Sequence, residues 1–67
     1  MADKLLNRIK VVLAEKNLNN KWLAEQLKKD PATISKWVTN KTQPKVETFI
    51  EIARLLNVSV QDLLRQE

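Results

Sequence analysis

The stretch KKDPATISKWVTNK, residues 28–41, places a proline at position 31 between two segments of helical pattern. Proline has no backbone N–H and fits a helix only in its first turn, where that donor has no partner anyway. It also turns the residue before it away from helical geometry. One helix must therefore end before Asp30, and another must begin at Pro31. The connection is left with only two or three residues. Asp30 can cap the new helix by accepting a hydrogen bond from a free backbone N–H. Two short helices joined this tightly cross each other rather than running on as one rod.

The apolar spacing extends this arrangement in both directions. Leu5, Leu6, Ile9, Val12 and Leu13 recur at helical intervals and predict a first helix from about Asp3 to Lys16, with Asp3 capping its start and Asn17 its end. Val11 lies opposite that stripe. A second helix is expected from Asn20 to Lys28, capped by Asn19, with Leu23, Ala24 and Leu27 inward and Trp22 off the face covering a neighbouring helix edge. In the third, Ile34, Trp37 and Val38 form the buried stripe, so Trp37 reads as core. A polar loop leads through Pro44 to a fourth helix, Val46 to Leu56. Its inward residues are Val46, Phe49, Ile50, Ala53 and Leu56, with Ile52 and Leu55 widening the stripe. A short fifth helix, about Val60 to Arg65, is announced by a Ser59/Asp62 capping box.

The expectation is one all-α domain spanning residues 1–67, a compact five-helix bundle. The chain has no glycine. Helix ends that need a left-handed residue must use something else, and Asn17, Asn40 and Asn57 stand in those places. The absence of cysteine removes disulfides and fits a reducing cytoplasm. Without histidine as well, the usual zinc site is excluded. No signal segment and no run long enough for a membrane span is present.

Charge locates the functional candidate. The net charge is +4. Residues 28–45 hold Lys28, Lys29, Lys36, Lys41 and Lys45 against the single acid Asp30, and the remaining positions sum to zero. A basic patch on a neutral body calls for an anionic partner. Opposite the buried stripe, the third helix carries Ala32, Ser35, Lys36 and Thr39, with Thr33 on the flank. Small side chains let a helix approach the DNA major groove closely. Ala32 or Thr33 suits a thymine methyl, Ser35 donates or accepts, and Lys36 matches guanine O6 and N7. These four, Ala32, Thr33, Ser35 and Lys36, are the expected base readers. Asn20 and Lys21 open the second helix, where free N–H groups and the helix dipole attract phosphate. Lys28, Lys29, Thr39, Asn40, Lys41 and Lys45 complete the expected phosphate contacts.

The stretch LNNKWLAEQLKKDPATISKWVTNKTQPKVETFIEIARLLNVSVQDLL resembles the Cro/phage-repressor (XRE) type helix–turn–helix domain over nearly the whole chain. The resemblance implies that the second and third helices form the DNA-binding motif and that the third reads sequence. It also implies a bacterial, phage or mobile-element regulator that binds palindromic operators as a homodimer. Asn20 falls where such proteins usually place a phosphate-binding glutamine. Pro31, Ala32 and Lys36 fall at base-contacting positions, and Thr33 and Thr39 at phosphate positions. Lys28 stands where the turn usually has glycine. Pro31 has no side-chain donor, so one usual base reader is mute. The buried arginine–glutamate pair common in the family is replaced by Leu13 and Val38.

Catalysis has no support. Tyrosine, histidine and cysteine are all absent, and there is no glycine-rich phosphate loop. No catalytic residue, metal, cofactor or small-molecule ligand is expected. The expected function is sequence-specific double-stranded DNA binding by a transcriptional regulator, most simply a repressor. The competing expectation is a protein-interaction module of the same fold, an antitoxin or assembly factor, using Trp22, Ile52 and Leu55.

Overall fold

The computed structural model describes residues 6–64. Four α-helices follow in order: α1 (Ile9–Glu15), α2 (Asn20–Leu27), α3 (Pro31–Val38) and α4 (Val46–Leu56). A 3₁₀ turn, Val60–Leu63, comes next. The fold is all-helical, but this turn stands where a fifth helix was expected. Its Ser59/Asp62 capping box is present in full. It stops after one turn because Leu64 is extended and bridges Asn7 in antiparallel fashion.

The same bridge explains why α1 starts late. The helical spacing runs back through Leu6, yet the chain before Ile9 is not helical. Arg8 N–H donates to Leu63 O at 2.7 Å, and the Arg8 guanidinium reaches Asp62 O at 3.3 Å. Here alternation replaces the helical period: Asn7 turns inward and Leu6 turns out, 53% exposed. Asp3 and Leu5 lie outside the described residues, as does Arg65.

The other boundaries follow the local signals. Asn19 caps α2, its side-chain oxygen accepting from Trp22 N–H at 2.8 Å. Asn57 ends α4 in the left-handed region, and Asn17 and Asn40 adopt it too. Lys28 is the fourth left-handed residue, at φ 56. This is the position where resemblance called for glycine. A side chain there strains the backbone by about 1–2 kcal/mol, while glycine would give back about 0.5–1 through its floppier unfolded chain. Lys28→Gly should therefore stabilise the fold by about 0.5–1 kcal/mol and raise Tm by about 4 °C. A thermal melt of the variant at or below the wild-type midpoint would contradict this.

The core draws on every helix. Ile9, Val12 and Leu13 of α1 meet Leu23 and Ala24 of α2, Ile34, Trp37 and Val38 of α3, and Phe49, Ile52, Ala53 and Leu56 of α4, with Leu63 from the 3₁₀ turn. Leu13 and Val38 both belong to this cluster, as an apolar replacement for an ion pair requires. Trp22 is half-buried against it. The stripe of α4 is displaced from the expected one. Ile52 is fully buried, whereas Val46 is 72% and Ile50 44% exposed. A helix apolar over most of its circumference leaves its exact orientation to the neighbours, and here the 3₁₀ turn and α2 pack against α4, whose buried residues are Phe49, Ile52, Ala53 and Leu56.

Candidate nucleic-acid interface

The site is built by the turn between α2 and α3. Lys28, in its left-handed conformation, bends the chain, and Lys29 N–H returns to Ala24 O at 3.0 Å, closing the end of α2. Asp30 is extended, at φ −68 and ψ 135, and Pro31 begins α3. The connection is thus Lys28 to Asp30, as the proline required. Asp30 does not cap with its side chain, contrary to expectation. Its backbone carbonyl accepts from Thr33 N–H at 2.9 Å and from Ile34 N–H at 3.2 Å. Thr33 N–H, one of the two donors a capping side chain could serve, is thus taken by the carbonyl, and the carboxylate stays exposed.

With Ile34, Trp37 and Val38 buried, α3 turns Pro31, Ala32, Ser35 and Lys36 to solvent, with Thr33 half-buried at the edge. Eight residues give a helix about 12 Å long. No side chain longer than Lys36 stands on this face. Lys28 and Lys29 are exposed at one end of it, Lys41 and Lys45 at the other, and Lys21 on the neighbouring helix.

The start of α2 offers donors of its own. Asn19 satisfies only Trp22 N–H, so the amides of Asn20 and Lys21 have no acceptor among the described residues. An open groove beside them is lined by Lys10, Leu18, Asn19, Asn20 and Lys21. Lys10 was not among the expected residues. It comes from α1, and only packing of α1 beside the start of α2 brings it here.

Two expected phosphate contacts are committed elsewhere. Thr39 Oγ1 donates to Ser35 O at 2.7 Å, and its N–H goes to the same carbonyl. Asn40 is half-buried: its Oδ1 accepts from Leu6 N–H, Asn7 N–H and Gln43 Nε2, and its Nδ2 donates to Asn7 O. The one side-chain donor of Thr39 and one of the two amide hydrogens of Asn40 are thus used within the fold. Asn7 and Gln43 are the residues that the apolar pattern hid. Asn7 is a polar side chain buried to 4% exposure, and in the sequence it stands between Leu6 and Arg8 with nothing to mark it as buried.

A model of the helix-turn-helix family matches residues 9–63, which takes in all four helices and the closing turn. The chain belongs to this helix-turn-helix family. A crystal structure of a candidate DNA-binding protein from Bacteroides fragilis superposes with a TM-score of 0.88. It is 53% identical and covers 90% of this chain and 97% of its own. No curated protein matches the chain significantly. Among the described residues of this helix-turn-helix protein, no helix is long and apolar enough to cross a membrane. Nor does any cluster of acidic residues stand ready to hold a metal.

Proposed function

We propose that this helix-turn-helix protein is a sequence-specific double-stranded DNA-binding regulator of transcription, most simply a repressor that occupies its operator. The observation that carries the reading is α3 itself. Its apolar stripe is locked in the core, while Ala32, Ser35 and Lys36 face outward between lysines at both ends. Such a face fits the major groove in shape and in charge. The family match supports it, as does the likeness to a protein described as a candidate for DNA binding.

In this reading Lys36 is the principal base reader, donating to guanine O6 and N7. Ala32 and Thr33 supply methyl contacts and Ser35 one hydrogen bond. Asn20 and Lys21 grip one phosphate strand through side chains and free amides, and Lys28, Lys29, Lys41 and Lys45 hold the flanking phosphates. Pro31 is silent as a hydrogen-bond donor, so DNA shape contributes to specificity. Two copies bind as a homodimer to a palindrome whose half-sites lie about 34 Å apart. The exposed Val46 and Ile50 of α4 and Leu64 beyond the 3₁₀ turn are available for the contact between copies.

The protein-interaction reading keeps only half-buried residues among the three it names. Ile52 is inside the core, and Trp22 and Leu55 pack against it. The test compares two lysines. Lys36→Ala should weaken specific binding by about 1–3 kcal/mol and relax one base position, whereas Lys41→Ala should weaken all sequences alike. If Lys36→Ala instead lowers affinity equally for every sequence, it does not read a base.

A further inference from the structure

A network of amides ties the beginning of the described chain to the end of the recognition helix. Asn7 Nδ2 donates to Trp37 O at 2.9 Å, in the last turn of α3, and to Gln43 Oε1 at 2.7 Å. Both of its donors are thereby used. Its Oδ1 accepts from Ile9 N–H at 3.1 Å, so the same side chain also starts α1. Gln43 Nε2 donates to Asn40 Oδ1 at 3.0 Å. The Asn40 carboxamide then pairs with the Asn7 backbone as a neighbouring strand would, accepting from Asn7 N–H at 2.9 Å and donating to Asn7 O at 3.2 Å. Asn7, Gln43 and Asn40 thus close one ring of hydrogen bonds, completed through the Asn7 backbone.

What this ring encloses is functional ground. Asn40 and Gln43 bracket Lys41 and Thr42, whose amides both return to Lys36 O, at 2.9 and 3.3 Å. Lys41 therefore leaves a backbone pinned from two sides. From one side α3 holds it through the carbonyl of the base-reading lysine. From the other, Asn7 holds it through Trp37 and Gln43. Apolar residues of α1 and α3 already share one core, so the ring adds a polar tie at the protein's edge to helices that are packed together without it. A buried amide with every donor used is conformationally decisive, since any other loop position would leave it unsatisfied.

We propose that Asn7 is a positioning residue for DNA binding. It holds the loop after α3 in the conformation in which Lys41 meets phosphate, although Asn7 itself touches no DNA. The proposal rests on the DNA-binding reading above. If the loop is pre-ordered in this way, losing Asn7 should cost the Lys41 contact even though the lysine remains.

The test measures affinity for duplex DNA against salt for four proteins: wild type, Asn7→Ala, Lys41→Ala and the double variant. Circular dichroism confirms that each is folded. One phosphate contact contributes about 0.9 to the slope of log K against log salt, which is about fivefold in affinity near 150 mM. Asn7→Ala should show that loss in both slope and affinity. The double variant should be no weaker than Lys41→Ala alone, because the two changes remove the same contact. Should Asn7→Ala fail to fold, Gln43→Ala takes its place, since its side chain is only half-buried and its loss opens the same ring. A folded Asn7→Ala (or Gln43→Ala) with wild-type slope overturns the proposal while leaving DNA binding intact. So does a loss that adds in full to that of Lys41→Ala. Wild-type protein that binds no duplex at any salt overturns the DNA reading itself, and this proposal with it.

Discussion

Raising salt from about 50 to about 200 mM should weaken the protein's hold on duplex DNA by roughly 500-fold per bound chain. The figure comes from Lys21, Lys28, Lys29, Lys41 and Lys45, all exposed around α3 and the start of α2. If each neutralises one phosphate, the slope of log K against log salt is about −4.5, and a fourfold rise in salt multiplies through it. Titrations at three or four salt concentrations read this slope directly. A value near zero would mean that the lysines are a solvated surface, and the phosphate assignments would fall. A slope steeper than about −5 per chain would point to a further cation, and Lys10, beside Asn20 and Lys21, is the one the groove supplies.

Trp37→Ala should leave the protein largely unfolded at room temperature. A single core in a chain this short rarely supplies more than about 3–5 kcal/mol. Trp37 is 8% exposed and lies in the one core shared by all four helices. Removing so large a buried side chain costs about 3–5 kcal/mol, most of what the fold has. No disulfide compensates, since the chain has no cysteine. The loss of helical circular dichroism would show the effect. Trp22→Ala provides the contrast, because Trp22 is only half-buried and its removal exposes less. If Trp37→Ala melted like wild type, Trp37 would not be the centre of the core, and the direction in which α3 faces would have to be redrawn.

How far the fold could be read from the residues depends on whether each signal is local. The boundaries of α2, α3 and α4 follow from groups within a few positions of one another: Asn19 at a cap, Pro31 at a first turn, Asn57 at a left-handed end. The beginning of α1 does not. Its spacing continues through Leu6, but Asn7 takes partners at Trp37, Asn40 and Gln43, and no window along the chain contains them. The same limit applies to α4. Val46, Ile50 and Ile52 are equally apolar, so pattern alone could not decide which would face the core.

The site divides in the same way. The exposed face of α3 was legible because three buried residues at helical spacing define its opposite side. Thr39 and Asn40 looked like phosphate ligands by type and position. The Thr39 hydroxyl and one Asn40 amide hydrogen are drawn inward for reasons that exist only once the chain has folded, Thr39 to its own helix and Asn40 to the Asn7 carbonyl. Lys10 reaches the interface only through the packing of α1 beside α2.

The most direct test of the central claim is selection of random duplex DNA by the purified protein near physiological salt, followed by sequencing. Major-groove reading by two copies predicts enrichment of a two-fold palindrome with half-sites one helical turn apart. Retention that is sensitive to salt but enriches no sequence would contradict it.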